Sequence, residues 1–261
     1  MDEVLTLGID IGSTTSKCVL LKNGAELVSS SLISAGTGTS GPQRALDAAL
    51  KQADVPLEHL SAITATGYGR NGLDGADFIV SELSCHALGA AALMPGVRTV
   101  IDIGGQDAKV LRVGLSGKLE SFLMNDKCAA GTGRFLEVMA RILELDVSEL
   151  AGMDEQAAGK VSISSTCTVF AESEVISQLA KNVDLHDLVA GIHASVAVRT
   201  AGLVRRLGLT EPVGMTGGVA RNGGVVRALE TELGVGIAVS PQSQLAGAWG
   251  AAVYGWNKEK E

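Results

Sequence analysis

Leu7-Gly8-Ile9-Asp10-Ile11-Gly12-Ser13 and Val100-Ile101-Asp102-Ile103-Gly104-Gly105-Gln106-Asp107 carry one pattern twice. In each, an apolar strand meets an aspartate and passes through Ile-Gly into a turn of small or polar residues. The surroundings repeat as well. A strand over Val4–Asp10 leads through the turn Ile11–Lys17 to a second strand, Cys18–Leu21. Asn23-Gly24 is a strong hairpin signal and leads to a third strand near Glu26–Ser30. After the second copy come Lys109–Val113, a Ser116-Gly117 turn and Leu119–Met124. Two hairpin units entered through the same turn predict a duplicated α/β architecture with a ligand between the halves.

The chemistry of the turns suggests which ligand. A glycine-rich turn leaves backbone N–H groups pointing outward with no side chain in the way. Ser13, Thr14 and Thr15 add hydroxyls, and Lys17 adds a cation. Asp10 and Asp102, facing across a cleft, would hold Mg²⁺ through water and orient an attacking water. Val213–Asn222, with Met215-Thr216-Gly217-Gly218-Val219-Ala220, supplies a third turn, a strand running through two glycines into a helix. None fits the P-loop or the Gly-x-Gly-x-x-Gly fingerprint. Singly, each reads as an ordinary tight turn. Together, two alike and one opening a helix, they point to a nucleotide.

Two further stretches hold cysteines ahead of helical patterns. Asn125–Arg134 contains Cys128, and apolar residues follow at Phe135, Val138, Met139, Ile142, Leu143 and Leu145. Ser164–Phe170 contains Cys167, with Val175, Ile176 and Leu179 after it and Glu172 and Glu174 expected at the helix start. Zinc and iron–sulfur sites usually take four ligands, so one chain falls short and two copies would complete the set. Buried structural thiols, a dimer-bridging zinc and a bridging iron–sulfur cluster all fit these residues; the reading adopted is the cluster. Cys18, in a strand, and Cys85, in an apolar helix, read as small core residues. His59, His86, His186 and His193 show no metal spacing relative to the cysteines, and Tyr68 and Arg70 read as plain loop residues.

Elsewhere the pattern gives a loop at Gly36–Pro42, a helix over Arg44–Ala53, a strand at Ser61–Thr66 and a helix over Ser81–Leu93. The second half is mostly helical, with a long helix across Leu185–Leu207, a shorter one near Val225–Leu233 and a small-residue helix at Ala246–Tyr254. Lys258–Glu261 is a charged tail expected to fray. A net charge of -8 and 3% aromatics argue against a nucleic-acid partner. No apolar run looks long enough to span a bilayer, and the acidic start lacks a signal-peptide pattern. A cytoplasmic protein with reduced thiols is expected.

Gly8–Thr14 resembles the first phosphate motif of the actin, Hsp70 and sugar kinase superfamily, Asp102–Asp107 its second, and Met215–Ala220 its adenosine motif. Within that superfamily, Asn125–Arg134 and Ser164–Phe170 resemble the activators of 2-hydroxyacyl-CoA dehydratases, of the BadF/BadG/BcrA/BcrD type, from about Leu7 to Tyr254. The resemblance implies a duplicated actin-like ATPase fold: residues 1–95 completed by a helix at 245–257, and a second domain at 97–240 carrying the cysteines. It implies a homodimer bridged by one oxygen-sensitive 4Fe–4S cluster on Cys128 and Cys167 of each subunit, with ATP or ADP and Mg²⁺ in each. Asp10, Asp102 and Gln106 take the catalytic roles. Gly12, Ser13, Thr14, Thr15, Ser16, Lys17, Gly104, Gly105, Gly131, Thr132, Gly133, Gly217, Gly218, Ala220, Asn222 and Gln242 line the nucleotide. The implied partners are a ferredoxin or flavodoxin donor and the dehydratase (component D), which receives one low-potential electron as ATP is hydrolysed in amino-acid fermentation. The alternatives are a benzoyl-CoA reductase-like ATPase subunit, a small-molecule kinase of this fold and a nucleotide-switched assembly protein.

Overall fold

The computed structural model describes residues 3–125, 128–163 and 167–261. Met1 and Asp2 of the acidic start, Asp126 and Lys127 of the first cysteine stretch, and Ser164, Ser165 and Thr166 of the second lie outside them. The chain divides into two compact units, one of residues 1–97, 113–120 and 244–261, the other of residues 98–112 and 121–243.

In the first unit, β1 (Leu5–Ile11), β2 (Ser16–Lys22), β3 (Glu26–Ile33), β4 (Ala62–Thr66) and β5 (Phe78–Ile79) form a sheet in the order β3-β2-β1-β4-β5. Asn23 and Gly24 take φ of 52° and 70° at the centre of the turn that the Ala25 amide closes on the Lys22 carbonyl at 3.2 Å, and with Lys22 paired to Glu26 the loop has three residues. Helices α1 (Gly41–Ala53), α2 (Glu82–Leu93) and α8 (Ala246–Glu259) belong to this unit. The glycines of α8 and its partners serve backbone contact. A Cβ on Gly8 would lie 2.0 Å from the Ala248 carbonyl, and one on Gly250 would lie 1.8 Å from that of Cys85. Small residues let α8 approach β1 and α2 this closely, and Cys18 and Cys85 are wholly buried in this unit.

In the second unit, β6 (Thr99–Ile103), β7 (Ala108–Val113), β8 (Leu119–Asn125), β9 (Val213–Thr216) and β10 (Ile237–Val239) run in the order β10-β9-β6-β7-β8. Read from the other edge, this is the first sheet's order, with an antiparallel hairpin on one side of the leading strand and two parallel strands on the other. The duplication seen in the turns is therefore present in the topology. Helices α3 (Gly133–Ile142), α4 (Leu150–Met153), α5 (Thr168–Leu179), α6 (Leu185–Leu207) and α7 (Gly223–Leu233) complete it. Phe135, Leu136 and Met139 of α3 join Ile192 and Val196 of α6 and Ile101 and Val110 of the sheet in one core.

Several sequence expectations are corrected here. The helix after Cys128 does not extend through Leu145. It stops at Ile142, Glu144 turns left-handed at φ 57°, and the Leu145 amide bonds back to the Ala140 carbonyl at 2.9 Å. Leu145 shares the apolar spacing because helix caps carry a hydrophobic contact of their own. Glu172 and Glu174 are not at the start of α5, whose first turn holds no acid. Pro42 lies in the first turn of α1, where its missing N–H costs nothing, so the helix starts at Gly41. The charged tail is helical to Glu259, with the Lys260 ammonium 4.1 Å from the Trp256 ring centroid. Over its 23 residues α6 has the length and hydropathy of a membrane span, contrary to the sequence reading, and 61% of its apolar window is buried within the fold.

Candidate nucleotide site and cysteine pair

The two copied turns are built alike. In the first unit the Gly12 amide donates to the Thr15 carbonyl at 2.9 Å; in the second the Gly104 amide donates to that of Asp107 at 2.9 Å. Each aspartate faces a lysine across the hairpin, Asp10 opposite Lys17 and Asp102 opposite Lys109. Lys17 Nζ lies 3.0 Å from Asp10 Oδ2, and Lys109 Nζ lies 3.3 Å from Asp102 Oδ2. Both aspartates are buried, which makes such pairing obligatory.

Around Asp10 the walls are glycine. A Cβ on Gly67 would lie 2.4 Å from Asp10 Oδ1, and one on Gly247 would lie 2.8 Å from both Asp10 Oδ2 and His86 Nε2. Ser13 and Thr14 are exposed at the turn, with Gly12 and Thr15 half-buried. Ser16 differs: it is buried, and its hydroxyl donates to the Ala35 carbonyl at 2.7 Å. That hydroxyl holds the loop after β3, so the turn's reachable hydroxyls are those of Ser13, Thr14 and Thr15.

In the second unit Asp102 Oδ1 accepts from the Thr216 hydroxyl at 2.8 Å, so the third turn is tied to the second. Gly217 takes φ 86°, and a Cβ there would lie 2.3 Å from the Ile103 carbonyl and 3.0 Å from Asp102 Oδ1. Its amide donates to the Ser243 carbonyl at 3.1 Å. Gly218 is exposed and Ala220 buried. Asn222 caps α7, its Oδ1 accepting from the Val225 amide at 3.1 Å, while its buried Nδ2 has no partner among the described residues. Gln242 Oε1 accepts from the Ser240 hydroxyl at 3.1 Å. Gln106 is exposed at the second turn, with Gly104 and Gly105 half-buried beside it.

The cysteine stretch meets this turn directly. The Gly133 amide donates to the Gly104 carbonyl at 2.9 Å and the Arg134 amide to the Gly105 carbonyl at 2.8 Å. Thr132, the fully buried N-cap residue, donates its hydroxyl to the Ala129 carbonyl at 2.7 Å. Gly131 turns at φ 102°. The first N–H groups of α3 are thus satisfied by the turn. Gly133 and Arg134 act as its buttress, a role that spacing alone does not reveal, and Thr132 braces the cysteine stretch itself. Cys128 is partly buried and lies outside α3, upstream of the Thr132 cap; Cys167 is exposed as the N-cap residue of α5. Beyond it Val169, Phe170 and Ile176 are exposed by 65%, 70% and 51%. Among the described residues no three His, Cys, Asp or Glu side chains group as a metal site.

A family model covering residues 7–255 matches this chain, that of the BadF/BadG/BcrA/BcrD ATPase family. The chain belongs to that family. The chain is similar to the (R)-2-hydroxyglutaryl-CoA dehydratase activating ATPase of Acidaminococcus fermentans, 58% identical and matched over 98% of both chains. The activator of lactoyl-CoA dehydratase from Anaerotignum propionicum is 55% identical over 96% of this chain and 97% of its own. The solved activator of the 2-hydroxyisocaproyl-CoA dehydratase from Clostridium difficile, with ADPNP bound, superposes with a TM-score of 0.95 at 54% identity, over 98% of this chain and 96% of that one. The fold is the duplicated actin-like one shared with sugar kinases.

Proposed function

We propose that this ATPase is an ATP-dependent one-electron activator of a 2-hydroxyacyl-CoA dehydratase. The observation that carries the reading is the pair of cysteines in the nucleotide-binding second unit, one of them in a stretch hydrogen-bonded to the Asp102 turn. The first unit carries Asp10, Lys17 and the Gly12–Thr15 turn as phosphate-binding elements. The second carries Asp102, Gln106, the Gly104-Gly105 turn and the Gly217-Gly218 turn. The buried aspartates hold their carboxylates ready for the waters of Mg²⁺, and Gln106, at the exposed tip of its turn, orients the attacking water.

The cysteines fit an iron–sulfur group shared by two copies of the chain. One chain supplies two thiols and no third metal-binding side chain beside them among the described residues. The exposed Val169, Phe170 and Ile176 give the apolar rim that a seam between subunits needs. A 4Fe–4S cluster on Cys128 and Cys167 of both subunits supplies one-electron transfer when bound. A reduced ferredoxin or flavodoxin is the donor class and the dehydratase the acceptor. The named relatives are activators of dehydratases of 2-hydroxyglutaryl-CoA, lactoyl-CoA and 2-hydroxyisocaproyl-CoA, so on this reading the acyl group is a property of the partner. The setting is the reducing cytoplasm.

An absorbance spectrum of protein prepared without oxygen, with iron and acid-labile sulfide assays, tests this. Brown protein with iron and sulfide in equal amounts supports it; zinc, or no metal, removes the electron-transfer reading and leaves a kinase of the same fold.

A further inference from the structure

Lys109 is 2% exposed, and a buried ammonium is costly unless carboxylates surround it. Its Nζ lies 3.3 Å from Asp102 Oδ2 and 2.7 Å from Asp107 Oδ2. Asp102 is gripped at its other oxygen by Thr216, at 2.8 Å. The first unit has the same cross-strand pair in Asp10 and Lys17, but Thr15 stands where the second has Asp107. The second copy therefore adds a carboxylate to the shared aspartate–lysine pair. Packing does not call for this arrangement, since buried ion pairs replaced by apolar residues of similar volume are often as stable or more so.

We propose that Lys109 is a positioning residue for ATP hydrolysis. With Thr216 it fixes the orientation of the Asp102 carboxylate, and Asp107 anchors the ammonium beneath the turn while Asp102 engages the hydrated metal. The proposal rests on the reading that Asp102 serves the nucleotide. It extends that reading to a residue that no phosphate motif contains.

Steady-state MgATP hydrolysis and melting temperature of the whole protein test it with three variants. Lys109→Met should lower kcat about 10²-fold, the usual cost of a misplaced catalytic group, and leave KM within about threefold. Lys109→Met with Asp107→Asn removes one charge of each sign. It should regain the melting temperature and keep the low kcat, because Asp102 still lacks its tether. Wild-type turnover in either variant overturns the proposal; in the double variant it would mean the lysine only neutralises Asp107. Asp102→Asn separates the two readings. If it is slow while Lys109→Met is fast, this proposal alone falls; if Asp102→Asn hydrolyses ATP at the wild-type rate, the nucleotide role of Asp102 falls and this proposal with it.

Discussion

Replacing Gly217 by alanine should damage both nucleotide binding and the second unit. The residue has φ 86° and ψ 177°, a region essentially confined to glycine, where a side chain costs about 1–3 kcal/mol. The added methyl would also lie 2.3 Å from the Ile103 carbonyl oxygen, a backbone atom that no rotamer change can move. Overpacking of that kind costs about 1–3 kcal/mol. Together the two come to about 2–6 kcal/mol, or roughly 30-fold to a few ten-thousand-fold in an equilibrium constant. The loss divides between observables. Whatever the fold absorbs appears as a lower melting point, at roughly 2–4 °C per kcal/mol for a chain of this size. Whatever it relieves by shifting the turn appears as weaker nucleotide binding, because Asp102 lies 3.0 Å from the same methyl position. Calorimetric titration with ADP and a thermal melt of the variant measure both. An alanine variant that melts with the wild type and binds ADP with the same affinity would refute the reasoning, and valine should be worse on both counts.

Cys128→Ser or Cys167→Ser should abolish iron binding and colour, while Cys18→Ser and Cys85→Ser should retain both. Burial holds the last two thiols protonated, Cys85 pushed up to about 12, so in metal-free protein at neutral pH an alkylating reagent should label Cys167 well before either. Chelation of iron from the reduced protein should be faster with a non-hydrolysable ATP mimic than with ADP, since a ligand shifts a conformational equilibrium only by binding its states unequally. Equal rates with both nucleotides and with none would remove the gating idea. His193 is buried beside Asp154, at 3.6 Å, and burial lowers its pKa to about 4. The unfolded chain therefore binds the extra proton between about 6.5 and 4, so melting temperature should fall as pH falls through that window. His193→Gln should flatten this dependence, and an unchanged slope would exclude His193 as its source.

Where local rules dominated, the sequence could be read closely. The Asn23-Gly24 hairpin, the long helix Leu185–Leu207 and the helix read over Ser81–Leu93 all have signals confined to a few neighbouring residues. The strands β5 and β10, of 2 and 3 residues, exist because a parallel neighbour pairs with them, and no periodicity marks so short a run. For the site, the turn glycines and both aspartates were visible as a repeated motif. Thr216 and Asp107 were within quoted motifs, but their partners were set by tertiary pairing. Lys109 left a readable trace, since Lys17 and Lys109 follow their aspartates at the same interval. Ser16 and Thr132 stand among the nucleotide-lining residues that the resemblance implies; their burial and their bonds to the Ala35 and Ala129 carbonyls were set by the fold and leave no mark in the sequence.

The bonds from Gly133 and Arg134 to the Gly104 and Gly105 carbonyls have a further effect. In a trans peptide the C=O and the next N–H point in opposite directions along one rigid plane. The carbonyls of Gly104 and Gly105 face α3, so the N–H groups of Gly105 and Gln106 face the other way. An anion accepting from those N–H groups polarises the same peptide units and strengthens their carbonyls as acceptors, by roughly 10–30% per bond. Filling one edge of the turn would thus tighten the helix start on its other edge, with no side chain taking part. Side-chain scanning of α3 would pass over such a relay; an amide-to-ester replacement at Gly105 or Gln106 would expose it.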